Sequence, residues 1–256
     1  MTSTVSGTHA TNGTSTGPEA LVERLRSQAN RYHSEHDFHV RMNAGELSPD
    51  QIRGWVANRF CYQEAIPRKD AAILLNCPDR RVRQRWIRRI TDHDGTVPDT
   101  PRSGAVPSAA ATGVTEGGIE AWLRLGEACG LTRAEMEDGR HIVPGVRFAV
   151  EAYVTFARTR PWVEAVASSL TELFAPGLMA ERLAAFEKHY TWIDRDGLDY
   201  FRRRLHQAPR DSEHALEIVQ ERCRTAEQQD AAVAALAFKN DVLWSMMDAI
   251  DRAYPA

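Results

Sequence analysis

The sequence is poor in the features that usually announce a function. Its four cysteines, Cys61, Cys77, Cys129 and Cys223, stand far apart. Without a C-x-x-C pair or a zinc spacing they exclude a disulfide framework and predict free thiols in a reducing, cytoplasmic compartment. No apolar run approaches the roughly 18 residues of a membrane span, and the N-terminus lacks the charged and apolar regions of a signal peptide. Charge of one sign is missing too. With 32 Lys and Arg against 35 Asp and Glu, the net charge of -3 and pI near 6.3 leave no footprint for nucleic acid or an anionic membrane. There is no G-x-G-x-x-G, P-loop or G-x-S-x-G, and no useful stretch alternates with period two. What remains is a chain of 256 residues, 43% hydrophobic, enough for one all-helical core around a small-molecule site.

Residues 1–17 are Thr, Ser and Gly with almost nothing to bury, and read as a disordered tail ahead of one helical domain over 18–256. Segment 95–118 has three prolines, many small residues and no periodicity, so it reads as a long loop, either lid or insertion. Ser48, Pro49 and Gln51 form a capping box that opens a helix running to Leu75, and Thr132 with Glu135 forms another. Pro144 starts a helix that Pro161 breaks. The next stripe, Trp162 to Leu173, is expected to end at Ala175-Pro176-Gly177. Helices over 192–207, 211–225 and 231–250 follow.

Several polar residues occupy apolar stripes. Ile52, Trp55, Val56 and Phe60 mark a buried face that Arg59 and Gln63 continue. Arg89 and His93 sit on or beside the stripe of Val82, Trp86 and Ile90. Tyr153 falls inside its helix, Tyr200 and Arg204 are one turn apart, Thr171 and Glu172 flank a stripe, and Lys239 lies in the middle of the last one. A buried arginine either pairs with a core carboxylate, snorkels outward, or faces an anionic ligand. Four cations from four helices would repel severely in a low dielectric unless a di- or tricarboxylate neutralised them. Glu64, Asp94 and Glu172 are the only evident internal acids, too few for that role. His33, His36 and His39 repeat at spacing three, which is not the i, i+4 of a helical metal pair, so one of them facing a pocket is the preferred reading. Beside Arg89, His93 has its protonated form disfavoured, which suits acid/base work near neutral pH.

The runs RYHSEHDFH, WVANRFCYQEAIPRKDAAIL, RRITDHDG, GGIEAWLRLGEACGL, VPGVRFAVEAYVTFA, SSLTELFAP, DYFRRRLHQAPRDSEHAL and LAFKNDVLWSMMDAI together resemble the pyrroloquinoline-quinone synthase family, the protein C of quinone cofactor biosynthesis. The resemblance spans nearly everything from Leu21 to Tyr254. It implies a compact helical bundle similar to haem oxygenase, usually a homodimer, with neither metal nor organic cofactor. The implied reaction closes a ring in a tricyclic polycarboxylate quinone precursor and oxidises it with dioxygen, releasing hydrogen peroxide. It also implies that Tyr32, His33, Arg59, Gln63, Arg89, Tyr153, Thr171 and Glu172 bind substrate. His93, as leading general acid/base, would act with Tyr200, Arg204 and Lys239, the first two bordering the oxygen side.

The chain departs from the family pattern at two places. Met179 stands where the family usually has an oxygen-side histidine, and a thioether cannot shuttle a proton, so oxidation is expected to be slower unless His206 substitutes. The loop at 95–118 is longer than usual. Two other readings stay open: an oxidase of the same fold with another substrate or a metal, and a quinone-binding protein with impaired chemistry.

Overall fold

The structure, a computed structural model, describes residues 17–96 and 116–255; the expected tail and most of the expected 95–118 loop lie outside the described residues. Every element among these residues is helical. The helices are α1 (Pro18–Arg26), α2 (Asp37–Ala44), α3 (Pro49–Asn76), α4 (Arg80–Asp94), α5 (Gly118–Ala128) and α6 (Arg133–Glu137). They continue with α7 (Pro144–Thr159), α8 (Trp162–Ser168), α9 (Ala175–His189), α10 (Asp199–Arg222) and α11 (Ala226–Ala253).

Local chemistry sets many of the helix ends. Ser48 and Gln51 close a capping box on α3, Thr132 and Glu135 one on α6, and Thr225 and Gln228 one on α11, each worth about 1 kcal/mol. With 28 residues, α3 is about 42 Å long and is buried on several faces, with α4, α5 and α7 packed along it. Wrapped this way, it puts Arg59, Gln63, Lys69 and Asp70 all inside. Helix α11 lies across α7 and α8, and α10 across α8 and α9.

Two apolar clusters result, one around Trp55, Trp122, Phe186 and Phe201, the other around Trp86, Ala157, Val166 and Leu236. Both touch the buried polar residues: Lys69 Nζ lies 5.8 Å from the ring of Trp86 in one and 5.7 Å from that of Tyr153 in the other. The far end of the unassigned loop is pinned to the site as well. A Cβ on Gly117 would come within 2.2 Å of the His93 carbonyl oxygen, so only glycine allows this approach.

Two segments differ from expectation. Ala175-Pro176-Gly177 does not end a helix but opens α9, because proline fits the first turn, where its missing N–H has no intrahelical partner anyway. The stripe before it instead tightens into a 3₁₀ turn over Ser169–Leu173. The helices expected over 192–207 and 211–225 are one, α10. It runs through Pro209 because Ala208 and Asp211 are buried on either side and tertiary packing outweighs one lost hydrogen bond.

Candidate active site

The anticipated residues converge, and they divide by charge balance. On one side, α3, α4, the 3₁₀ turn and α10 bring cations and carboxylates together. Arg89 donates bidentately to Glu172 at 2.7 and 2.8 Å, and its Nε reaches Asp70 at 3.4 Å. Asp70 also accepts from Lys69 Nζ at 2.5 Å and from Trp86 Nε1 at 2.9 Å. Arg204 donates to Glu172 at 3.2 Å, and both arginines stand about 3.5 Å from Asp211 Oδ2. These neighbours act on one another's ionisation. Burial opposes the charge on Glu172, but Arg89 and Arg204 outweigh it and hold the carboxyl down at about 2.

The expectation that internal acids are too few is therefore corrected. Glu64 and Asp94 are exposed, whereas Asp70 and Asp211, which the stripes did not single out, are buried beside the cations. Three of the buried cations, Arg89, Arg204 and Lys69, carry their own counter-charges.

On the other side the balance fails. Arg59 is 7% exposed, its guanidinium lies 4.3 Å from the Tyr62 ring centroid, and its Nη1 is buried without a hydrogen-bond partner among the described residues. Arg182, on α9, is 1% exposed and has no carboxylate within ion-pair reach among the described residues, its polar partner being His39. It stacks over Trp55, and burial together with Arg59 lowers its pKa to about 9. Lys239 donates to the Tyr62 hydroxyl at 2.8 Å and lies 3.3 Å from the Tyr153 ring centroid. Burial, then Arg59 and Lys69, push its ammonium well below the usual lysine range. The amide nitrogen of Gln63 and Nε2 of His33 are also buried and have no partner among the described residues.

Between the two sides is a cavity of about 50 Å³ lined by Tyr32, Arg59, His93, Glu172, Met179 and Arg204, among others. Thr171 and Tyr200 line it too, and the Tyr200 hydroxyl donates to Gln63 at 2.9 Å. Tyr153, with Arg89, Lys69 and Ser169, lines an adjoining space of about 30 Å³. His93 Nδ1 sits 3.0 Å from the Arg89 carbonyl, so it carries the proton, and Nε2 is left as a bare, unpartnered acceptor. Burial first, then Arg204, drop the His93 pKa to about 4, leaving a neutral base.

Of the three spaced histidines, His33 and His39 are buried together, while His36 caps α2 and meets Asp248 at 3.2 Å. Met179 lines the cavity, and His206 is exposed. The residues that sequence reasoning missed are Tyr62, Lys69, Asp70, Arg182 and Asp211. A larger cleft of about 320 Å³ opens outside Arg89 and Asp211, but its Arg85 and Arg210 are paired with Glu217, Asp92 and Asp211.

A helical bundle closed around a buried, partly unbalanced cationic cavity defines a class, and solved structures share the fold. A protein of heme oxygenase-like fold from Shewanella denitrificans superposes with a TM-score of 0.72 at 12% identity, covering 92% of each chain. A TenA homolog from Pseudomonas syringae pv. tomato gives 0.66 at 14% identity over 91% of this chain and 92% of that one. At such identities the likeness concerns fold alone. The TENA/THI-4/PQQC family model matches residues 22–249. Pyrroloquinoline-quinone synthase of Klebsiella pneumoniae strain 342 is 50% identical over 93% of this chain and 88% of its own length. That of Pseudomonas aeruginosa strain LESB58 is 54% identical over 90% and 86%. The chain belongs to the TENA/THI-4/PQQC family and, within it, to the pyrroloquinoline-quinone synthases.

Proposed function

We propose that the protein is an oxidoreductase of pyrroloquinoline quinone biosynthesis that closes and oxidises a tricyclic polycarboxylate precursor with dioxygen. The observation that carries this reading is the unbalanced half of the site. Buried Arg59, on the cavity wall, has no counter-charge among the described residues, and a polycarboxylate would supply one. Arg59, Lys239 and His33 would hold carboxylate or carbonyl oxygens. His93 Nε2, unprotonated, would take a proton from the bound substrate as it loses electrons. Each two-electron step would pass two electrons and two protons to dioxygen, giving hydrogen peroxide, next to Tyr200 and Arg204.

The cavity of about 50 Å³ is far smaller than the roughly 300 Å³ or more of a typical small-molecule pocket. Binding a tricyclic ligand therefore has to move the lining side chains apart. The test is the ultraviolet-visible spectrum of metal-stripped protein with the precursor, first without oxygen and then in air, with peroxide assayed at the end. Quinone absorbance with peroxide supports the reading. A shifted spectrum that stays static in air would favour a binding protein with stalled chemistry, and a requirement for added iron would favour a metal-dependent oxidase. Met179→His should speed the aerobic phase, by up to about 100-fold if proton transfer limits it.

A further inference from the structure

His33 and His93 present their Nε2 atoms in opposite senses, and the polarity of His33 is set by residues outside the cavity. Arg182 Nη2 lies 3.1 Å from His39 Nε2. A guanidinium only donates, so His39 Nε2 is an acceptor and the imidazole proton is on Nδ1. That Nδ1 is 2.6 Å from the His33 carbonyl oxygen and 3.0 Å from His33 Nδ1. A proton on His33 Nδ1 would point into the His39 N–H, so His33 Nδ1 is bare and its proton sits on Nε2. His33 is 1% exposed, and Nε2 has no partner among the described residues. A buried N–H without an acceptor has lost its hydration and gained nothing in return, so it favours a ligand that brings one. The ring lies edge-on to Tyr32 at 4.4 Å, and Tyr32 and the nearby Arg59 both line the cavity.

We infer that His33 and Arg59 form an acceptor-only subsite, which takes a carboxylate or carbonyl oxygen and rejects a donor, and that Arg182 fixes its polarity through His39. Arg182 and His39 are positioning residues: neither they nor His33 form the cavity wall, but once binding parts that wall at Tyr32 they prevent His33 from turning a lone pair toward the ligand. This deepens the proposed function by naming what the substrate presents at that end, and its binding test rests on that reading.

Long-range ¹H–¹⁵N correlation spectra of full-length, ¹⁵N-histidine-labelled protein at pH 7 test the relay, with signals assigned through His33→Gln and His39→Gln. The expected result is a proton on Nδ1 of His39 and on Nε2 of His33. A His33 protonated on Nδ1, an imidazolium at either position, or an exchanging mixture would overturn the proposal. Arg182→Met keeps the bulk but removes the donor. It should release the single-tautomer pattern and weaken pyrroloquinoline quinone binding about tenfold, and Arg182→Lys should recover most of both. If Arg182→Met left tautomers and affinity unchanged, the relay would be wrong; if that variant did not fold, the wild-type spectrum would decide alone. Wild-type protein with the expected tautomers but no affinity for the quinone would sink the functional reading and leave the relay standing.

Discussion

The two halves of the buried site contain the same kinds of cation and differ in what surrounds them. Around Arg89, Arg204 and Lys69 the chain supplies Asp70, Glu172 and Asp211; around Arg59 and Arg182 it supplies aromatic rings and neutral imidazoles. A buried charge that carries its own partner serves the architecture, because removing either member leaves the other stranded. A buried charge without a partner destabilises the free protein and gains only when a ligand arrives. The halves therefore divide the labour between scaffold and recognition.

Removing a counter-charge should break the comparison most visibly. Asp70→Ala leaves Lys69 and Arg89 short of a partner and should cost about 3–5 kcal/mol of stability in denaturant unfolding. A loss within 0.5 kcal/mol would mean that the neutralised half is not structural. Acid should act next. The His93 pKa is lowered to about 4 from the usual value near 6.5, so the unfolded chain takes up that proton first as pH falls. Stability is intact above pH about 6.5 and falls on the way to about 4, on the order of 3 kcal/mol from this group. His33 and His39, also held well below the usual range by burial, act in the same direction. Glu172 and Asp70, both with lowered pKa values, add a second loss as pH falls further through their folded values. Urea midpoints at pH 7.5, above the histidine window, and at pH 4.5, near its lower end, check this; a flat profile would contradict the burial of neutral imidazoles.

Arg59→Gln probes the other half. It should weaken pyrroloquinoline quinone binding about 100-fold, close to 3 kcal/mol, in an equilibrium titration, while leaving unfolding unchanged or slightly harder. Gly117→Ala should have the smallest effect, about 1–2 kcal/mol, as its Cβ pushes the His93 carbonyl away. Its turnover should fall more than its stability, since His93 moves with the backbone.

Much of this arrangement was legible in the sequence. Arg59, Gln63 and Lys239 stood on apolar stripes and are all buried, because a helix with one inward face declares its misplaced polar residues by period alone. The partners were not legible for the same reason. Helix α3 is buried on more than one face, so Lys69, off the main stripe, gave no sign of burial, and Asp70, two turns beyond Gln63 on the same face, lay past the apolar residues that marked it. Arg182 escaped because α9 was not anticipated after Pro176. Asp211 follows a proline that seemed to end one helix, whereas α10 continues through it. The division into a balanced and an unbalanced half needed the fold, since it depends on which helices meet.

Thermal unfolding of Arg59→Gln beside wild type, each with and without pyrroloquinoline quinone, tests the central claim most directly. The account predicts that the ligand-free variant melts at or above the wild-type temperature and that the quinone stabilises wild type far more than the variant. A ligand-free variant that melts several degrees lower, or one that the quinone stabilises equally, would mean that Arg59 already has its partner in the fold.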